Sequence, residues 1–168
     1  MVTRLIYCSN NEKVVIEDVA AGNGAIENLK ELGIYPKDEV FITKNIESKG
    51  PIHIKKNEKN VVIGRKLAEK VLVNSFLEQV LPLSQIKIGD KVEVVKMNSD
   101  GEIRYRLLDM GLIKGVMLKM IRTAPLGDPI EVEMSGFNLT LRLNEAKSIL
   151  VKPVEIEKNK RKKFSIFS

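Results

Sequence analysis

Cys8, His53 and a scatter of carboxylates are the side chains of this 168-residue chain that could do nucleophilic, acid–base or metal chemistry. Their spacing supports none of it. Cys8 has neither a CxxC partner nor a nearby histidine to draw off its proton, so a buried or inert thiol is expected. His53 alternates with Ile52 and Ile54 on an extended run and is expected to point away from the isoleucine face, towards solvent. One cysteine and one histidine cannot fill a four-ligand zinc site or close an intramolecular disulfide. Gly-rich phosphate loops, GxSxG and HExxH are all missing. The chain is therefore expected not to be an enzyme, with no catalytic residue assigned.

Sulfur is the other soft donor present, and five of the six methionines fall in the second half: Met97, Met110, Met117, Met120 and Met134. Four of them occupy apolar positions of the local pattern and read as core filling, whereas Met117 alternates with the inward residues and reads as surface. A different kind of chemistry, recognition, is suggested by Ala124-Pro125-Leu126-Gly127-Asp128-Pro129. Two prolines fix the backbone, Gly127 permits a turn, and Asp128 can hold local amides. Such a loop serves equally as a stiff strand connection or as a rigid mount that offers Leu126 to a partner at low ordering cost.

The elements that must position this loop emerge from a repeat. A shift of 78 residues aligns Lys13–Val73 with Lys91–Val151 without a gap, with about ten identities in about sixty positions. The identities fall at turns and core positions: Leu29 on Leu107, Gly33 on Gly111, Pro51-Ile52 on Pro129-Ile130, Ala68 on Ala146. Each copy opens with a β-branched extended segment, Val14–Ile16 or Val92–Val95, followed by a short helix. In the first copy Asn23 is the expected N-cap, Ile26, Leu29 and Leu32 form the apolar face, and Gly33 closes the C-terminus. The second copy repeats this through Ile103, Leu107, Met110 and Gly111. Alternation then takes over: Val40/Ile42 or Leu118/Met120, next a hairpin clearest as Ile130/Val132/Met134, Ser135-Gly136 and Leu139/Leu141/Leu143, and finally Ile149–Val151. Five short strands and one short α-helix per copy predict a mainly β chain of two tandem SH3-like barrels.

The expected boundaries are residues 1–73 for the first barrel, 74–82 for a connector, 83–153 for the second barrel and 154–168 for a basic tail. Phe76, Leu77, Val80 and Leu81 make the connector apolar, so it is expected to pack on a barrel. A hydrophobic fraction of 43% with 30% charged residues describes a chain able to bury a core. No apolar run is long enough to span a bilayer and the N-terminus lacks a signal-peptide pattern, so a cytoplasmic protein is expected. Of the net charge of +6, half lies from Glu155 onward, where five basic residues face two acids. Aromatic residues make up only 5% of the chain and include no tryptophan, which removes the stacking platform expected of a nucleic-acid binder.

The run Arg104-Tyr105-Arg106-Leu107-Leu108-Asp109-Met110-Gly111-Leu112, the loop Ala124–Pro129 and Leu139-Thr140-Leu141-Arg142-Leu143-Asn144-Glu145-Ala146 together resemble the FeoA family, ferrous iron transport protein A. The resemblance implies a small cytosolic SH3-like barrel without a reaction of its own. It also implies an accessory or regulatory role in iron uptake beside FeoB, a membrane ferrous-iron transporter with a GTPase domain. On that reading the partner-binding residues are Leu107, Met110, Gly111, Leu112, Pro125, Leu126, Gly127, Asp128 and Pro129. The first copy keeps Asn28-Leu29, Glu31-Leu32-Gly33-Ile34 and Gly50-Pro51-Ile52, but Ile46-Glu47-Ser48-Lys49 replaces the Ala-Pro-Leu-Gly stretch.

Two further expectations follow. The barrels are also similar to the C-terminal domains of diphtheria-toxin-repressor-type metalloregulators, which makes Fe(II) or another divalent transition metal the alternative ligand. Asp109, Glu131, Glu133 and Glu145 are then candidate oxygen ligands, although strand alternation also explains Glu131 and Glu133 as solvent-facing charges. The tail's basic cluster, followed by Phe164, Ile166 and Phe167, has the composition to rest on an anionic membrane surface, each basic residue contributing about 1 kcal/mol. The chain would then sit peripherally at the inner face of the membrane.

Overall fold

The computed structural model describes residues 1–20, 22–46 and 49–156 and divides the chain into two units, Met1–Glu78 with the segment from Glu155, and Gln79–Val154. The first unit contains strands β1 (Val2–Arg4), β2 (Lys13–Val19), β3 (Glu39–Lys44), β4 (Ile52–Lys56), β5 (Lys59–Ile63) and β6 (Val71–Ser75), with helices α1 (Asn23–Glu31) and α2 (Arg65–Ala68). The second contains β7 (Leu81–Pro82), β8 (Lys91–Met97), β9 (Met117–Thr123), β10 (Ile130–Met134), β11 (Phe137–Leu141) and β12 (Ile149–Pro153), with α3 (Gly101–Asp109) and α4 (Leu143–Ser148). Each unit is one six-stranded antiparallel sheet, in the orders β1-β6-β2-β3-β4-β5 and β11-β10-β9-β8-β12-β7. The chain is mainly β, as two tandem SH3-like barrels.

The 78-residue shift holds down to single backbone hydrogen bonds. Ile16 N–H donates to Asp38 and Lys37 N–H returns to Ile16, at 2.9 and 2.8 Å; Val94 with Val116 and Gly115 with Val94 repeat the pair at the same distances. Ala20 to Lys70 at 2.6 Å recurs as Asn98 to Ser148 at 2.7 Å. The shared glycines close both long helices, Gly33 at φ +75° and Gly111 at φ +89°, where a left-handed residue lets Ile34 or Leu112 turn back onto Leu29 or Leu107. Both pairs are fully buried, as are Val14 and Val92, Ile52 and Ile130, and Ala68 and Ala146. Each fully buried aliphatic side chain contributes roughly 1.5–3 kcal/mol, so a shared core accounts for a shared fold at low identity.

Four details depart from the sequence expectation. A sixth strand, β1 or β7, lines the edge beside β6 or β12; at two or three residues it is too short to show alternation. Leu81–Pro82 therefore belongs to the second unit, which begins at Gln79 rather than Leu83. The remaining apolar connector side chains do not pack as expected: Phe76, Leu77 and Val80 are exposed. Gly22, rather than Asn23, precedes the first turn of α1, so Asn23 is the first helical residue.

Candidate functional site

The β9–β10 loop is held from within and from outside. Ala124 N–H donates to the Pro129 carbonyl at 2.9 Å, Gly127 N–H to the Ala124 carbonyl at 2.7 Å, and Gly127 takes φ +87° to make the turn. The Asp128–Pro129 peptide is cis. The Asp128 carboxylate accepts the Leu143 N–H at 3.1 Å, which ties the loop to the start of α4. Held by these bonds, the loop lifts Leu126 into solvent at 97% exposure, the most exposed large apolar side chain among the described residues. Pro125 beside it is exposed, while Gly127 and Pro129 are half-buried.

At the foot of the loop, Arg122 pairs with Glu131, whose other oxygen accepts the Asn138 amide at 2.8 Å. These two donors hold the Glu131 carboxyl below the ordinary glutamate range.

The other expected partner-binding residues fall elsewhere. Leu107 and Leu112 have no exposed surface and belong to the core of the second unit, so they cannot touch a partner without unfolding it. Met110 and Gly111 are half-buried at the end of α3. A Cβ at Gly111 would lie 3.4 Å from the Met134 methyl, which places this corner at the far end of β10 from the loop. Four strand steps, about 13 Å, separate the two. The expected residues therefore form a loop tip and a separate corner instead of one patch. Sequence reading missed Tyr105, Ile113 and Phe137, all exposed. Phe137 alternates with Leu139 and Leu141 and reads as inward, but β11 is an edge strand and covers its first residue poorly.

The remaining chemical candidates are accounted for. Cys8 is buried, and burial, with the negative charge of Glu12 added, pushes its thiol well above the ordinary cysteine value. His53 is half-buried on β4. Met120 and Met134 are core and Met117 is exposed, as their positions predict, while Met97 and Met110 are only half-buried. Among the described residues no three His, Cys, Asp or Glu side chains are gathered for a metal ion. Glu145 is instead committed to structure: its carboxylate accepts the Arg142 N–H at 2.8 Å and pairs with Arg106 at 3.0 Å. No described helix is long and apolar enough to cross a membrane. The basic tail, residues 157–168, lies outside the described residues, as do Glu47 and Ser48 of the first-copy loop.

Comparison with known proteins settles the lineage of this geometry. The FeoA domain model matches twice, over residues 3–75 and 81–153. The chain belongs to the FeoA family. A putative Fe(2+) transport protein A of Campylobacter jejuni is 37% identical over 71 residues, 42% of this chain and 96% of that protein. The Fe(2+) transport protein A/Fe(2+) transporter FeoB fusion protein of Porphyromonas gingivalis is 33% identical over 69 residues; the match covers 41% of this chain and 8% of the fusion protein. The solution structure of iron(II) transport protein A from Clostridium thermocellum superposes with a TM-score of 0.54 at 20% identity, covering 96% of this chain and 95% of that one, and so shares the fold across both units.

Proposed function

We propose that this FeoA-family chain is a non-catalytic accessory of ferrous iron uptake whose second unit docks on the cytosolic part of a FeoB-type transporter through the Pro125–Leu126 loop. The observation that carries the reading is the stapled loop with Leu126 at 97% exposure, an apolar anchor already fixed in the unbound chain. A rigid anchor loses little entropy on binding, and burying a leucine contributes roughly 1.5–3 kcal/mol. The Porphyromonas gingivalis fusion protein, whose name joins transport protein A and transporter FeoB in one chain, supports a working contact between the two kinds of protein. Met110 and Gly111, with the exposed Ile113 and Phe137, form a second contact corner.

Iron is cargo of the transporter on this reading. Of the carboxylates suggested as ligands, Glu131 is paired with Arg122 and Glu145 with Arg106 and the Arg142 amide, and no step is assigned to a metal on this chain. The chain works at the inner face of the membrane, with the basic tail proposed to lie against anionic lipid; equal liposome binding by full-length and tail-deleted protein would remove that element.

Calorimetry between the chain and the isolated GTPase domain of a FeoB-type transporter tests the docking. Binding is expected to weaken by about tenfold or more in Leu126→Ala, with unchanged unfolding of the free chain. Absence of binding by the wild type, or affinity that ignores Leu126, would sink the assignment.

A further inference from the structure

A cleft of about 800 Å³ opens in the first unit between α1 and α2, at positions where the second unit carries an ion pair. The residues concerned differ under the 78-residue shift. In the second unit Arg106 on α3 reaches Glu145 on α4 at 3.0 Å, and Glu145 is buried. The equivalent first-unit residues are Asn28 and Leu67, which cannot form an ion pair and instead line the open cleft.

The charge of the site changes with its shape. Arg65, Lys66 and Lys70 line the cleft against a single carboxylate, Glu31. At the same eleven positions the second unit carries four carboxylates, Asp100, Glu102, Asp109 and Glu145, against Arg106 and Arg142. Gly22 and Gly24 stand where Asp100 and Glu102 would project acidic side chains. Lys66 and Lys70 have no carboxylate partner among the described residues. Arg65 uses one nitrogen on Asn45 and the Ile46 carbonyl, both at 3.3 Å, which fixes its guanidinium at the cleft rim. The floor is apolar, formed by Ala25, Leu32 and Leu67.

We infer that this cleft binds a small phosphate-bearing organic molecule, its phosphate met by Arg65, Lys66 and Lys70 and its body resting on the apolar floor. Phosphate matches clustered cations at a rim, and a volume of several hundred Å³ suits a small molecule better than a bare ion. The inference gives the first unit a ligand-binding role of its own and does not depend on the docking loop of the second.

The test is an amide NMR titration of the full chain with inorganic pyrophosphate and with adenosine monophosphate, read at Gly22, Gly24 and Gly64. The second unit's Gly101 and Gly111 serve as the internal control. Saturable shifts confined to the first-unit glycines are expected with one or both probes, weakened by about tenfold or more in the double variant Lys66→Glu/Lys70→Glu. A stronger response to the monophosphate supports an organic body on the apolar floor, and a response to pyrophosphate equal to or stronger than it would overturn that part of the inference. The variant Asn28→Arg/Leu67→Glu, which restores the second unit's bridge, is expected to abolish the shifts. No saturable shift up to roughly 10 mM, shifts insensitive to the lysine reversal, or equal shifts in both units would overturn the inference. The lysine reversal alters exposed side chains, so it remains informative if the bridged variant fails to fold.

Discussion

Asn28 and Arg106 occupy the same turn of the same helix in the two copies, and Leu67 and Glu145 share a place on the shorter one. In the second copy the pair is a partly buried ion pair that links α3 to α4; in the first no such pair can form and both residues line a cleft. The β3–β4 and β9–β10 connections diverge in the same manner: one runs through Ile46 and Lys49, the other is stapled around an exposed Leu126. Beneath these surfaces the main backbone hydrogen bonds recur and the central core positions agree, Val14 with Val92, Ile16 with Val94, Leu29 with Leu107, Ile34 with Leu112 and Ile52 with Ile130. A duplicated core tolerates divergent surfaces, because packing and backbone pairing alone specify the barrel.

The comparison breaks most readily at the core. Leu29→Ala and Leu107→Ala are each expected to cost about 2–5 kcal/mol, because both side chains are fully buried at equivalent sites. Chemical denaturation should show similar losses in the two variants. A near-neutral result at either leucine would mean that the two cores are not equivalent. Leu112→Asp should be more damaging still and should reduce folded protein instead of selectively weakening partner binding.

The helix lock gives a smaller, one-sided effect. Glu145→Gln is expected to destabilise the second unit by about 1–3 kcal/mol, since it weakens the contact with Arg106 and leaves a buried polar group less well paired. Leu67→Gln, at the half-buried first-unit position, should cost less. Thermal melts of the two variants compare them directly, and an equal cost would contradict the claim that only the second copy is locked.

Smallest of all is a backbone effect. Lys37 holds φ +69° where the second copy has Gly115 at φ +90°. Lys37→Gly is expected to change stability by no more than about 1 kcal/mol, with relief of the left-handed lysine set against the added freedom of glycine when unfolded. A large loss would show that its pair with Glu17, whose side chain is only 7% exposed, matters more than surface pairs ordinarily do.

Much of this architecture was legible in the residues. The repeat, both closing glycines, the Ser135-Gly136 hairpin and the buried alternation on β10 each leave a local signature, because turn chemistry and a period of two act over a few residues. The edge strands did not, since Leu81–Pro82 is defined by pairing with Leu150 and Val151, far away in sequence. The candidate site was half legible for the same reason. Pro125, Leu126 and Gly127 announce a rigid exposed loop, whereas Leu107 and Leu112 look identical in sequence whether they face a partner or the core. The cleft was invisible, because its lining comes from α1 and α2, some forty residues apart in sequence, and only folding brings them together.

The central claim, that the second copy carries the docking surface and the first does not, is tested most directly by an amide NMR footprint of the full chain. The titrant is the cytosolic GTPase domain of a FeoB-type transporter. The account predicts perturbations centred on Ala124, Leu126 and Gly127, with weaker ones at Met110 and Gly111. Perturbations centred on the first copy, at Asn45, Ile46 and Gly50 or along α1, with the Leu126 loop unmoved, would contradict it.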